Sequence, residues 1–208
     1  MKWYDIFSNI YDSSLEKLYY ESRKSAVKLL DLKPSQNILD VACGTGANFI
    51  HLKNSGREDL HIYGTDNSEG MLRKAQRTID KHQINNITLF QSDARALSDS
   101  LIREKINIDL KFDRVFCVLG FSVIPDWEKV MDNLIQLLIP KGRLVIVDVF
   151  AEKRTFNSKL IEIIANADTG RRIWQNLQTK TEDFYLEYMP VKENKVGGKL
   201  FVATGIKK

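Results

Sequence analysis

Three acids and a short glycine loop carry the clearest chemistry in this sequence. Asp40 lies near the end of the run Ile38-Leu39-Asp40-Val41, and Ala42-Cys43-Gly44-Thr45-Gly46-Ala47-Asn48 follows directly. Asp66 comes twenty residues after Gly46, at the end of a second apolar run, and Asp93 closes a third. Glycines placed after a strand let backbone approach a ligand closely, and a helix that follows presents unpaired amide groups to it. An acid some twenty residues further on, ending the next strand, is placed to accept both hydroxyls of a ribose. A nucleoside-like ligand is the chemistry this spacing suggests. The plainer alternative is a tight turn beside a solvent-exposed Asp66.

The character of that ligand follows from two departures. A dinucleotide fingerprint needs a third glycine at position 49, where the chain has Phe49. Such a loop also serves a pyrophosphate, and Asp40 just ahead of it would repel one. A carboxylate there suits a cation instead, so a sulfonium or ammonium ligand fits better than a nicotinamide dinucleotide.

The elements that must hold these residues are readable from periodicity. Strands are expected at Asn37–Val41, His61–Thr65, Ile87–Gln91, Phe112–Leu119 and Leu144–Val149, with helical patterns between them. A helix from Ala47 to about Lys53 follows the glycine loop. Ser68 or Asn67 can cap the next, whose Met71, Leu72, Ala75 and Ile79 share a face. Pro125 suits the first turn of a helix carrying Trp127, Val130, Met131, Leu134 and Leu138, and Asp126 caps or charges its start. The stop Pro140-Lys141-Gly142 precedes the fifth strand. Near the amino terminus, Ser13 and Glu16 form a capping box ahead of Leu15, Leu18, Ser22, Ala26 and Leu29.

After residue 150 the pattern changes. One or two helices over about 154–179 lead to Asp183–Tyr188 and Lys199–Gly205, joined by a segment with turn chemistry, so this pair should run antiparallel. The expectation is an α/β, Rossmann-like, doubly wound fold with a mainly parallel seven-stranded sheet and an antiparallel C-terminal strand pair. We expect one domain over 1–208: lid or cap helices at 1–30, a cofactor-binding core at 35–150, and C-terminal helices and strands at 151–208.

Composition excludes several classes. A chain of 208 residues with 43% hydrophobic and 28% charged residues is ordinary globular material. The net charge of +4 is mild and its basic residues are scattered, so no nucleic-acid partner is expected. No signal peptide and no run long enough to span a bilayer is read, and Cys43 and Cys117 lack CxxC spacing, so a cytoplasmic protein with reduced thiols is expected. His51, His61 and His82 are spaced without metal-ligand logic; no metal is expected.

The segment 38–48 resembles motif I of class I S-adenosylmethionine-dependent methyltransferases. Thr65-Asp66-Asn67-Ser68-Glu69-Gly70-Met71-Leu72 resembles the family's second motif, and Gln91-Ser92-Asp93-Ala94 its third. Phe112-Asp113-Arg114-Val115 and Pro140-Lys141-Gly142-Arg143-Leu144 resemble its fourth and fifth strand signatures. The resemblance implies S-adenosylmethionine as methyl donor, with S-adenosylhomocysteine as product. It places Gly44, Thr45 and Gly46 against the methionine part, with Asp40 beneath them near its ammonium group and Ala42 and Asn48 in the same loop. Asp66 would hold the ribose, Asn67 and Met71 would flank adenine, and Asp93 and Ala94 would meet the adenine amino edge. Cys117 and Val118 would close the pocket, although a buried structural thiol explains Cys117 equally well.

Phe7-Ser8-Asn9-Ile10-Tyr11-Asp12 and Gly197–Gly205 resemble segments of ubiquinone/menaquinone-biosynthesis C-methyltransferases, and bacterial phospholipid N-methyltransferases share the general layout. The acceptor is therefore expected to be a small or lipid-like molecule. Quinone-type C-methylation is slightly favoured, with a phospholipid or amine N-methyltransferase as the alternative. Tyr11 is the candidate acceptor-side contact. Trp3, Tyr4, Ile6, Phe7, Ile10 and Tyr11 would cover the pocket, touch a membrane surface peripherally, or simply pack on the core. A non-catalytic S-adenosylmethionine-binding protein and a nicotinamide dehydrogenase are the readings of other classes.

Overall fold

The computed structural model describes residues 18–153, 159, 162, 163 and 166–208. The capping box, the aromatic lead-in, Tyr11 and part of the segment after residue 153 lie outside the described residues.

Seven strands form one sheet in the order β3-β2-β1-β4-β5-β7-β6. β1 (Asn37–Val41), β2 (His61–Asp66), β3 (Ile87–Gln91), β4 (Phe112–Val118) and β5 (Leu138–Phe150) pair in parallel. β7 (Lys199–Lys207) runs antiparallel to β5, and β6 (Thr181–Tyr188) antiparallel to β7. The topological switch lies between β1 and β4, whose carboxyl ends are where open α/β sheets bind ligands.

Both faces of the sheet are covered, which is why its strands read as near-continuous apolar runs. Helix α1 (residues 18–29), α2 (Ala47–Lys53) and α3 (Glu69–His82) pack on one face. There Ala26, Leu30, Phe49, Leu52, Ala75 and Ile79 meet Ile38, Ile62, Phe116 and Val145. On the other face, α4 (Asp99–Ile106), α5 (Trp127–Leu137) and α6 (Ile173–Lys180) bring Ile102, Met131, Leu134 and Leu177 against Leu39, Val115 and Ile146. Alternate residues of β4 thus serve opposite cores.

α1 buries Tyr19, Ser22, Ala26 and Leu30, the three- and four-residue spacing of a helical stripe. Its end is gripped from β4: Arg114 donates through Nε to the carbonyl of Leu30 and through Nη2, at 2.9 Å, to that of Asp31.

Two local expectations need correction. α5 ends at Leu137, and Leu138 already pairs with Phe112 as the start of β5. Pro140-Lys141-Gly142 is therefore an irregular stretch within the strand, with Lys141 at φ 61°, rather than a stop ahead of it. Asp126 occupies the N-cap position of α5, at φ 50°, but does not cap it through its side chain, and Pro125 precedes the helix. The turn between β6 and β7 contains one helical turn, Glu193–Val196, ended by Gly197 at φ 83°.

Candidate functional site

The glycine loop turns through the left-handed region three times in five residues: Ala42 at φ 54°, Gly44 at 57° and Gly46 at 80°. It is anchored at its back. Cys43 N–H donates to the carbonyl of Thr65 at 3.0 Å, and the Thr78 hydroxyl of α3 donates to that of Thr45 at 2.8 Å. Gly46 is tightly enclosed, because a Cβ there would stand 2.7 Å from Phe49 Cδ2, whereas one on Gly44 would meet nothing within 4 Å. The loop is therefore packed on one side and open on the other, at the carboxyl end of β1.

Asp66 faces that opening. Its two carboxylate oxygens accept the amides of Gly44 and Ser68, each at 2.9 Å, which fixes the side chain without using all four of its lone-pair positions. Burial pushes its carboxyl upward, against the lowering effect of those amides. Ser92 N–H donates to the carbonyl of Asp66 at 3.1 Å, so the ends of β2 and β3 stay together and Asp93 stands next to Asp66.

Asp93 is engaged by Arg95. One guanidinium reaches both carboxylate oxygens, at 2.5 to 3.0 Å, and holds the carboxyl below its ordinary range. Arg95 also pairs with Asp126 at 3.7 Å, giving that acid the partner it lacks as a cap. Asn67 is exposed, while Met71 and Ala94 are half-buried near the same strand ends. Gln91 holds the carbonyl of Asn67 at 2.9 Å.

Asp40 is wholly buried beneath the loop. Asn48 Nδ2, on the first turn of α2, donates to both its oxygens at 3.1 and 3.0 Å, and Arg23 of α1 donates to Asn48 Oδ1 at 2.5 Å. Burial raises the Asp40 carboxyl to about 7; the Asn48 bond and the Arg23 charge pull it down, and Asp66 pushes it up. Asn48, expected as a ligand contact, is buried and turned toward Asp40.

Cys117 and Val118 end β4, buried next to β1. Burial lifts the Cys117 thiol well above its usual range, and a Cβ on Gly120 would stand 2.4 Å from its sulfur, so this cysteine acts as core. Beyond it, buried Asp148 at the end of β5 accepts the amides of Ser122 and Val149 at 2.9 and 2.8 Å. Arg171 ties the same loop by donating to the carbonyls of Phe121 and Ile124 at 2.5 and 2.7 Å. A separate surface cleft of about 350 Å³, lined by Ser98, Asp99 and Asn133, holds none of the sequence-predicted residues.

Known proteins share this fold. The sequence matches the family described as "Methyltransferase domain" over residues 32–189. The chain belongs to that family. A demethylmenaquinone methyltransferase of Desulfitobacterium hafniense is 31% identical over 149 residues, which cover 71% of this chain and 54% of the relative. The chain thus spans little more than half the length of such relatives. An S-adenosylmethionine-dependent methyltransferase of Aquifex aeolicus, 20% identical, superposes with a TM-score of 0.61 over 96% of each chain. A phosphoethanolamine N-methyltransferase of Haemonchus contortus, solved with S-adenosylmethionine, is 16% identical and superposes at 0.69 over 92% of this chain and 55% of its own. The fold is that of class I methyltransferases.

In this methyltransferase domain, Asp40, Gly44, Gly46, Asp66 and Asp93 gather at the carboxyl ends of β1, β2 and β3. Three polar residues around them were not singled out from sequence. Asp148 carried a signal, a charge inside the apolar run Val145–Phe150. Arg95 stood two residues after a predicted site acid. Arg23 carried none, because a helical arginine reads as a solvated surface charge until its partner is known.

Proposed function

We propose that this domain transfers a methyl group from S-adenosylmethionine to a small or lipid-like acceptor, with a quinol-type carbon favoured. The observation that carries the reading is the buried Asp40 beneath a loop that is enclosed at Gly46 and open at Gly44, flanked by Asp66 and Asp93.

That donor set suits the group. The methionine part would lie over Gly44 and Thr45, where the loop offers space and amide donors, and the Asp40 carboxylate would favour its ammonium. Asp66 keeps acceptor capacity for ribose hydroxyls while its loop contacts hold it in place. Asp93 would share its carboxylate between Arg95 and the adenine amino group, between Asn67, Met71 and Ala94. Bound S-adenosylmethionine supplies an electrophilic methyl on a sulfonium.

The protein's own work is orientation. Holding reacting atoms near attack distance contributes roughly 7–11 kcal/mol in favourable cases. The left-handed loop, the β4–α5 loop fixed by Asp148 and Arg171, and the closed floor of Cys117 and Val118 supply rigid walls. A carbon acceptor also needs a proton removed, and Tyr11 is the candidate contact on that side.

Calorimetric titration with S-adenosylmethionine, S-adenosylhomocysteine and NADH tests the ligand class. A transfer screen on quinol and phospholipid-amine acceptors then tests the acceptor. Binding of NADH alone, or of none of the three, overturns the reading. Methylation of amines but not quinols replaces the favoured acceptor with the nitrogen one.

A further inference from the structure

Arg23, Asn48 and Asp40 form a chain that runs from the outer helix to the floor of the site. The arginine donates to the Asn48 oxygen at 2.5 Å, and the Asn48 nitrogen donates to both oxygens of Asp40. The amide can stand only this way round, since a guanidinium is donor-only and a carboxylate accepts. A cation on the amide oxygen polarises the group and strengthens its nitrogen as a donor. Asn48 and Asp40 are 1% and 0% exposed, so water does not screen the bond between them.

From this geometry we propose that Arg23 is a positioning residue for cofactor binding, acting through Asn48 to keep Asp40 ionised for the donor's amino group. The inference rests on the reading that Asp40 favours that ammonium. It assigns a binding role to α1, which lies outside the loop and the three strand ends.

The charges around Asp40 support it. Burial and Asp66 on β2 oppose its ionisation, and the Asn48 bond and Arg23 on α1 favour it. Cys43 in the loop and Cys117 on β4 also feel the Asp40 charge, but burial keeps both thiols protonated. Arg23 itself faces His51 of α2, which burial pushes toward neutrality, with Glu21 and Lys24 beside it on α1. Among these groups Arg23 supplies the positive charge that acts on Asp40, and a guanidinium does not titrate near neutrality.

The test compares two ligands across pH 5.5–9 on the full chain: S-adenosylhomocysteine, which keeps the amino group, and 5′-methylthioadenosine, which has no amino acid part. Arg23→Met should shift the pH midpoint of S-adenosylhomocysteine affinity upward by about one unit, a loss of about tenfold below the midpoint. The two proteins should converge at high pH, and Arg23→Lys should restore the wild-type profile. The ligand's own amine titrates identically in every case and cancels. Methylthioadenosine affinity should stay unchanged; an equal loss for both ligands makes Arg23 merely structural and overturns the proposal. Superimposed wild-type and Arg23→Met profiles overturn it too, while leaving the role of Asp40 intact. Should Asp40→Asn not weaken S-adenosylhomocysteine relative to methylthioadenosine, the reading of Asp40 itself falls.

Discussion

The carboxylate of Asp66 accepts the amide of Gly44 at 2.9 Å, so the acid ending β2 holds the loop that follows β1. One side chain thereby shapes the loop and presents acceptors to its opening. Replacing Asp66 with Ala removes both roles. We expect affinity for S-adenosylhomocysteine to fall about 10- to 100-fold, as for hydrogen bonds to a charged group worth roughly 1.5–3 kcal/mol. Calorimetry checks this, and unchanged affinity would remove Asp66 from the site.

Gly44 and Gly46 should fail in different ways. Gly46→Ala forces a left-handed alanine whose Cβ lies 2.7 Å from Phe49, a side chain that is fully buried. Strain and overpacking together should cost about 2–4 kcal/mol, or roughly 5–15 °C in Tm. Gly44→Ala carries backbone strain alone, about 1 kcal/mol, with a much smaller Tm shift but a marked loss of affinity, since its methyl enters the open side. Thermal melts and titrations of both variants separate the two effects.

Asp40 links stability to pH. Its carboxyl lies at about 7 in the folded chain against an ordinary 3.8, so between those values the native state holds a proton that the unfolded state releases. Its contribution is full below about pH 4 and is lost as pH rises through 7. Asp40→Asn should therefore match wild type only below about pH 4, and the gap should widen from there as pH rises toward 7. Above pH 7 it should be the more stable protein, by up to about 4 kcal/mol, while binding the donor less well. Melts at several pH values read the gap, and a gap that stays constant from pH 5 to 8 contradicts the buried charge.

Asp93 should matter for binding and hardly for stability. Its pair with Arg95 is partly exposed, and such pairs contribute little to folding. Asp93→Asn should leave Tm within about 2 °C. It should lower affinity for adenosine-containing ligands about tenfold, by losing a charged acceptor. A fall in Tm with affinity intact would assign the acid to the fold instead.

Strand positions were legible because both faces of the sheet are buried, which leaves unbroken apolar runs with little else to be. β1, β3 and α2 carry the bounds read from sequence. β5 was misplaced because Pro140-Lys141-Gly142 has turn chemistry, and only pairing with β4 reveals that it lies within a strand. The acids of the loop and strand ends stood out through their spacing. The link that tunes Asp40 did not, because Arg23 and Asn48 are 25 positions apart and meet only once α1 lies on α2. Arg95 illustrates the same limit. Its fork onto Asp93 depends on the short helical turn at Ala94–Ala96 that follows β3.

The grip of Arg114 on Leu30 and Asp31 fixes where α1 can pivot. With the carbonyls just past its last turn held to the central strand, that end of the helix is tethered and the other end has the longer reach. At 1.5 Å per residue, Arg23 lies roughly 10 Å along the lever arm from Leu30. A swing of about 5° displaces Arg23 by only about 1 Å, which still lengthens its 2.5 Å contact with Asn48 to the weak edge of hydrogen bonding. Leverage of this kind converts a slight lift of the helix into a change of charge balance at a carboxylate on another layer of the molecule.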